Sequence, residues 1–298
     1  MYRTLIYLAT NFAIILVLFL IWLFVAYAAN VYGWNLNIGW GPGDYAPLLV
    51  FCFIFGMGGS FLSLQISRWS ARKLTKCRLI TEAETEEQTW LVETVRRLTN
   101  RVDLAMPQVG IFPGGRPNAF ATGPSRNKAL VAVNESLLAE MNRDEIEAVL
   151  AHEISHIKNG DMVFLCLIQG ILNTFVYFFA RVIGMAIDAA VSAKEKKISF
   201  GLGYHLGTIV AQIFLSILAS IVVFWFSRKR EFIADRGAAQ LAGREKMVSA
   251  LKALQRAPAQ SLPQSMAAFG ISGKKGDYGR LFMTHPPLED RIRALEEG

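Results

Sequence analysis

Four stretches of this chain carry no charged residue: 5–29, 47–67, 162–180 and 206–227. Each is about as long as the roughly 20 apolar residues with which a helix crosses a hydrocarbon core, so four membrane helices are expected. The first exceeds the apolar part of a secretory signal and lacks a clear cleavage site before Asn30, so it reads as a retained anchor. In the second, Gly56, Gly59, Ser60 and Ser63 are small residues at helical spacing, which suits either close packing against another membrane helix or simple flexibility.

Between these runs the pattern changes. Thr81 with Glu84 makes a capping box ahead of an apolar stripe of Leu91, Val95 and Leu98, which predicts an amphipathic helix over 81–100. Residues 107–112 and 129–133 read as short strands, with Pro113-Gly114-Gly115 as the break. Between them, 117–123 fits an edge strand, able to hold an extended peptide by strand addition, or a loop covering the core. Asn142 with Glu145 forms a second capping box, Met141 and Ile146 are spaced for a hydrophobic staple, and Asn159-Gly160 is a stop; these bound another helix. Residues 244–256 place Met247, Leu251 and Leu254 on one helical face, 257–279 read as mobile, and Pro287 opens a last helix with Leu288, Ile292 and Leu295 inward.

Hydrophobic residues make up 53% of the 298, above what an ordinary soluble domain shows. The basic residues are placed unevenly. Arg68, Arg72, Lys73, Lys76 and Arg78 follow the second run, and Arg228, Lys229 and Arg230 follow the fourth, while 30–46 holds only Asp44. The positive-inside bias therefore puts both basic clusters in the cytoplasm. Lys194, Lys196 and Lys197 run against that bias: either their loop is translocated despite its charge, or the last two runs form a hairpin that does not cross fully. Arg181 and Asp188, at the far end of the third run, read as an interfacial ion pair or as the lining of a polar path. The net charge of +7 is accounted for by topology and anionic lipid, and no nucleic-acid recognition motif accompanies it. Cys52, Cys77 and Cys166 lack C-x-x-C spacing, so neither a disulfide framework nor a thiolate metal site is expected.

The chemistry concentrates in His152-Glu153-Ile154-Ser155-His156. Residues i and i+4 lie about one turn apart on one helical face, so both imidazoles can point at one ion, with Glu153 beside them. A catalytic zinc takes three protein ligands. Glu231 is the candidate for the third, and Asp235, four residues on, can accept a hydrogen bond from a ligand imidazole. Spacing alone favours the other reading, a solvated helix face with Arg228, Lys229, Arg230 and Arg236 as ion partners. Two apolar runs lie between His156 and Glu231, an even number of crossings, which returns the chain to the same side. His205 reads as an interfacial residue, and His285, in Thr284-His285-Pro286-Pro287, as a further candidate.

Together with Asn118-Ala119-Phe120-Ala121, these motifs resemble, in order and over essentially the whole chain, the HtpX family of bacterial membrane-bound zinc metalloproteases related to the CAAX prenyl proteases. The resemblance implies an α-helical integral membrane protein with four apolar helices plus a cytoplasmic α+β zincin-like, glutamate-ligated catalytic domain with a small sheet. The chain then divides into an N-terminal membrane hairpin (1–67), a cytoplasmic part with the zinc helix (68–161), a second membrane hairpin (162–227) and a cytoplasmic part with the third ligand (228–298). By the same likeness one Zn2+ per chain is held by His152, His156 and Glu231, and Glu153 is the base. Asp235 supports a ligand, the strand through Asn118, Ala119, Phe120 and Ala121 cradles substrate, and His285 supports the oxyanion. The implied setting is the bacterial inner membrane, multi-pass, with the catalytic domain facing the cytoplasm. The implied partners are the lipid bilayer and damaged or misfolded membrane proteins, in envelope stress and quality control. A prenyl protease acting on lipidated C-termini, or a catalytically idle scaffold, are the rival functions; intact Glu153 speaks against the second.

Overall fold

A computed structural model describes residues 16–21, 23, 24, 27, 28, 31, 45–191, 201–256 and 284–297. Its elements are α1 (Tyr45–Gln65), α2 (Ser67–Thr75), β1 (Arg78–Leu79), α3 (Glu86–Asn100), β2 (Gln108–Phe112), β3 (Ala119–Ser125), β4 (Lys128–Asn134), α4 (Glu135–Glu140), α5 (Arg143–Asn159), α6 (Asp161–Val191), α7 (Leu202–Ala242), α8 (Arg244–Arg256) and α9 (Leu288–Glu297). Among the described residues, three helices are long and apolar enough to cross a membrane: α1, α6 and α7. The first expected membrane helix lies largely outside the described residues, though 16–21, 23, 24, 27 and 28 are helical. The lysines at 194, 196 and 197 and the segment 257–279 also lie outside them.

Two compact units are formed, one from 1–63 with 166–223 and one from 64–165 with 224–298. In the first, the small residues of α1 meet α6. A Cβ on Gly56 would stand 2.5 Å from the backbone nitrogen of Thr174, and one on Gly170 would stand 3.2 Å from the Cα of Met57 and 3.4 Å from the Cβ of Ser60. Backbones approach this closely only where side chains are absent or minimal. The expected ion pair between Arg181 and Asp188 does not form. Arg181 donates to the Tyr177 carbonyl at 3.0 Å and lies 5.2 Å from the Phe51 ring centroid, while Asp188 accepts from the Tyr204 backbone N–H at 3.2 Å. Seven helical residues separate the two by about 10 Å along the axis. The first turn of α7, by contrast, brings the Tyr204 N–H to Asp188.

The second unit is built on a four-stranded sheet of order β1-β2-β4-β3. β2 runs parallel to β4, and β1 and β3 run antiparallel to their neighbours. Alternation along β4 serves two layers. Val131 and Val133 join Leu91, Val95 and Leu98 of α3, Val149 and Ile154 of α5, Met247, Leu251 and Leu254 of α8, and Ile292 and Leu295 of α9. Leu130 and Ala132 face Phe112, Phe120 and Ala71 on the other side. The segment expected as an edge strand or a loop is the edge strand β3, and its register on β4 pairs Ala119 with Val133, Phe120 with Ala132 and Ala121 with Val131.

α5 is bounded as its sequence predicts. Asn142 Oδ1 accepts from the Glu145 N–H at 3.0 Å, Glu145 Oε2 accepts from the Asn142 N–H at 3.1 Å, and Gly160 closes the helix at φ 69°. Met141 and Ile146 are both buried in one cluster. The cap expected at Thr81 is corrected: α3 starts after Thr85, whose Oγ1 accepts from the Gln88 N–H at 3.2 Å. This later start places Glu86 and Glu87 in the first turn, where carboxylates favour the positive end of the helix dipole.

α7 is one helix from its apolar part through Arg228, Lys229 and Arg230 to Glu231 and Asp235. The two carboxylates therefore sit on a continuing, hydrogen-bonded helix rather than on a loop. α6 likewise starts at Asp161, immediately after the Gly160 cap of α5.

Candidate active site

His152 and His156 project from one face of α5 with their rings nearly perpendicular and their Nε2 atoms 3.1 Å apart. Glu231 presents its carboxylate to both: Oε1 lies 3.3 Å from His156 Nε2 and Oε2 lies 3.6 Å from His152 Nε2. An ion bound tetrahedrally at 2.0–2.1 Å holds two ligand atoms about 3.3 Å apart, so these separations match a shared cation. One ligand atom from each residue falls within 4.8 Å of the other two. Glu231 Oε2 is moreover buried without a hydrogen bond of good geometry among the described residues. A nitrogen, nitrogen and carboxylate-oxygen donor set arranged in this way fits a divalent metal.

The remaining ring nitrogens are held from behind. His152 Nδ1 lies 2.9 Å from Asp235 Oδ1, and His156 Nδ1 lies 2.7 Å from Asp161 Oδ2. Arg291, fully buried, reaches Asp235 through Nε and Nη2 and places Nη1 3.2 Å from Glu231 Oε2. Arg230 holds the other oxygen of Asp161. Burial by itself would lower the pKa of His152, but the carboxylates of Asp235 and Glu231 beside the ring outweigh it and the pKa is raised. For His156 burial is likewise outweighed, by hydrogen bonds to Asp161 and Glu231, and the ring is pushed up to about 10. The guanidinium of Arg291 is also raised, because Asp235 and Glu231 more than offset its burial.

A cavity of about 140 Å³ opens in front of these groups. Ala119, Phe120 and Ala121 of β3, His152, Glu153 and His156 of α5, Met162 and Leu165 of α6, and Ser227, Glu231 and His285 contribute to its wall. β3, the end strand of the sheet among the described residues, thus runs beside the candidate metal ligands, and Glu153 shares their cavity. His285 Nδ1 lies 2.8 Å from Glu231 Oε2. Asn118 does not line the cavity. Its N–H donates to Asn134 Oδ1 and its carbonyl accepts from the Asn134 N–H, both at 2.9 Å, which anchors the start of β3.

Sequence reasoning missed three residues of this constellation: Asp161, Arg230 and Arg291. For Arg291 a signal was present, since it stands three residues after Leu288 and four before Leu295, on the inward face of α9. Arg230 stood among the basic residues after the fourth apolar run, and Asp161, directly after the Asn159-Gly160 stop, carried no signal of its own.

A family model for peptidase family M48 matches residues 85–298. The chain belongs to peptidase family M48. Within it, 50% identity over 99% of both chains links this M48 peptidase to Protease HtpX of Thioalkalivibrio sulfidiphilus, and 46% identity over all of this chain and 99% of the relative links it to Protease HtpX of Idiomarina loihiensis. The M48 chain is therefore an HtpX-type metalloprotease, a hydrolase and a membrane protein. Its fold resembles that of S. mikatae Ste24p, known from a crystal structure, with a TM-score of 0.63 and 20% identity over 91% of this chain and 64% of that longer one.

Proposed function

We propose that this M48 peptidase is a zinc-dependent endopeptidase of the bacterial inner membrane. Facing the cytoplasm, it cleaves damaged or misfolded membrane proteins in envelope stress and protein quality control. The observation that carries the reading is the meeting of His152 Nε2, His156 Nε2 and the Glu231 carboxylate beside Glu153 and the end strand β3. Two imidazoles and a carboxylate at tetrahedral spacing favour zinc, one ion per chain. The basic residues after α1 and within α7 support the cytoplasmic orientation. The substrate class and the stress role rest on the resemblance to HtpX proteases.

When bound, zinc supplies a Lewis acid that polarises the scissile carbonyl and acidifies the attacking water. Glu153 takes the proton from that water and returns it to the leaving amine. The edge of β3 through Ala119, Phe120 and Ala121 hydrogen-bonds an extended substrate as an added strand, and Asn118 fixes where that strand begins. Asp235 keeps the His152 proton on Nδ1 and so leaves Nε2 to coordinate. His285, whose Nδ1 lies 2.8 Å from Glu231 Oε2, stabilises the negative charge that develops on the substrate oxygen.

The test is proteolysis of an unfolded membrane protein by purified, detergent-solubilised protein, before and after chelation and zinc replacement. Cleavage stops with chelator, returns with zinc, and is abolished in Glu153→Gln, which still holds one zinc per chain. Turnover that survives complete metal removal, or near-normal turnover by Glu153→Gln, overturns the mechanism. Prenylated peptides in the same assay separate the rival: preferred cleavage of lipidated C-termini would reassign the substrate class.

A further inference from the structure

Each candidate ligand imidazole is backed by an aspartate, and each aspartate by an arginine. One series, His152–Asp235–Arg291, contains the aspartate four residues after Glu231. The other, His156–Asp161–Arg230, has no counterpart in the motif: Asp161 opens α6, and Arg230 comes from the turn of α7 that carries Glu231. Asp161 is almost wholly buried, and a buried carboxylate is costly unless its oxygens are satisfied. Here Oδ2 meets His156 Nδ1 at 2.7 Å and Oδ1 meets the guanidinium of Arg230. That guanidinium is itself positioned 5.4 Å from the Phe164 ring centroid.

An imidazole can present either nitrogen, and a partner on one decides which is left for a cation. Adjacent residues on a helix diverge by about 100°, so Arg230 can grip Asp161 while Glu231 faces the imidazoles. Resting on the reading of His156 as a metal ligand, we infer that Asp161 and Arg230 are positioning residues of the metal site. Asp161 holds the His156 ring with Nδ1 protonated and Nε2 turned towards the ion. Arg230 ties that aspartate to the third-ligand turn of α7. This ionic link thus ties the start of α6, directly after the zinc helix α5, to the third-ligand turn of α7. Partners of this kind are worth 10–100-fold in metal affinity.

The experiment measures zinc dissociation constants by chelator competition, and the visible spectrum of the Co2+-substituted protein, for the full chain in detergent. The variants are Asp161→Ala, Asp161→Asn, Arg230→Met, Asp161→Ala with Arg230→Met, and His156→Ala, each with its melting temperature. Asp161→Ala is expected to weaken zinc binding about 10–100-fold and to shift the Co2+ bands, with Asp161→Asn intermediate. Arg230→Met weakens binding less, and adds nothing to Asp161→Ala because both act through one link. A general loss of stability would lower the melting temperature and leave the bands of the folded fraction where they are. Should Asp161→Ala fail to fold, the near-isosteric Asp161→Asn and Arg230→Met decide: wild-type affinity and spectrum in both overturn the inference. It is equally overturned if Arg230→Met adds its full effect to Asp161→Ala. If His156→Ala loses zinc while both Asp161 variants bind normally, the ligand reading stands and positioning fails. If His156→Ala binds as tightly as wild type, the ligand reading itself is wrong, and this inference goes with it.

Discussion

Arg291 and Asp235 face each other through two hydrogen bonds, Nε to Oδ2 at 2.8 Å and Nη2 to Oδ1 at 2.6 Å, with the arginine fully screened from solvent. Asp235 also meets His152 Nδ1, and Arg291 Nη1 lies 3.2 Å from Glu231 Oε2, so a residue of α9 touches the candidate metal site both through Asp235 and directly. α9 is thereby part of the framework of the candidate site rather than a peripheral support.

Removing that arginine leaves two buried carboxylates short of a partner. Arg291→Met is expected to cost about 3–5 kcal/mol of stability, the range for breaking a buried ion pair from one side. Denaturation of the detergent-solubilised protein measures it. Adding Asp235→Asn should recover part of the loss, and a cost for Arg291→Met below about 1 kcal/mol would mean that the pair behaves as a surface one.

Metal uptake should be linked to pH through His156. In the metal-free site its ring is pushed up to about 10 by Asp161 and Glu231 against the opposing effect of burial, so a proton competes for Nε2 across the neutral range. Affinity then rises with pH, about tenfold per unit for each proton displaced, until that value is passed. Isothermal titration in buffers of different ionisation enthalpy counts the protons. Zinc affinity that is flat between pH 6 and 8 contradicts the assignment.

Glu147 supplies a stability test away from the site. Burial would raise its carboxyl, but hydrogen bonds from Arg97 at 2.7 Å and Lys246 at 2.9 Å hold it below the ordinary 4.5. A carboxylate depressed in the folded state stabilises in full above its unfolded value, and that contribution fades as pH falls through the folded one. Glu147→Gln should cost about 1 kcal/mol near pH 7, since Arg97 is half exposed and solvent screens the pair. The gap from wild type should close below pH 4.5, and a gap that widens on acidification would refute the pairing.

The α1–α6 contact predicts a contrast between two glycines. Gly56→Ala places a Cβ 2.5 Å from the Thr174 backbone nitrogen and should cost about 1–3 kcal/mol, whereas at Gly59 the nearest atom is Leu18 Cδ1 at 3.7 Å. Melting temperatures in detergent should fall clearly for Gly56→Ala and hardly at all for Gly59→Ala. Equal losses would show that helix propensity, not contact, governs both.

Much of the unit that carries the candidate site was legible beforehand. The face shared by His152 and His156, the Asn142–Glu145 box, the Gly160 stop and the stripe of Leu91, Val95 and Leu98 are consequences of helical period and capping chemistry. Thr81 against Thr85 was not decidable in the same way. Both are good caps followed by two acids, and Thr85 is the one whose Oγ1 accepts the Gln88 N–H in the folded chain. The partner of Asp188 was not legible either, because it is a backbone N–H at the start of another helix, which no side-chain pattern announces.

By itself the sequence determined which segments are apolar enough to span a bilayer, where α5 begins and ends, and that two imidazoles and Glu153 share one turn. Covalent geometry and a repeat of 3.6 residues decide such things within a few neighbours. Only the tertiary structure decided that Glu231 faces those imidazoles instead of solvent. It alone brought Asp161 to Arg230 across 69 residues and Asp235 to Arg291 across 56. Spacing cannot settle such pairings. A charged side chain stays buried only when helices distant in sequence deliver its counter-charge to the same place.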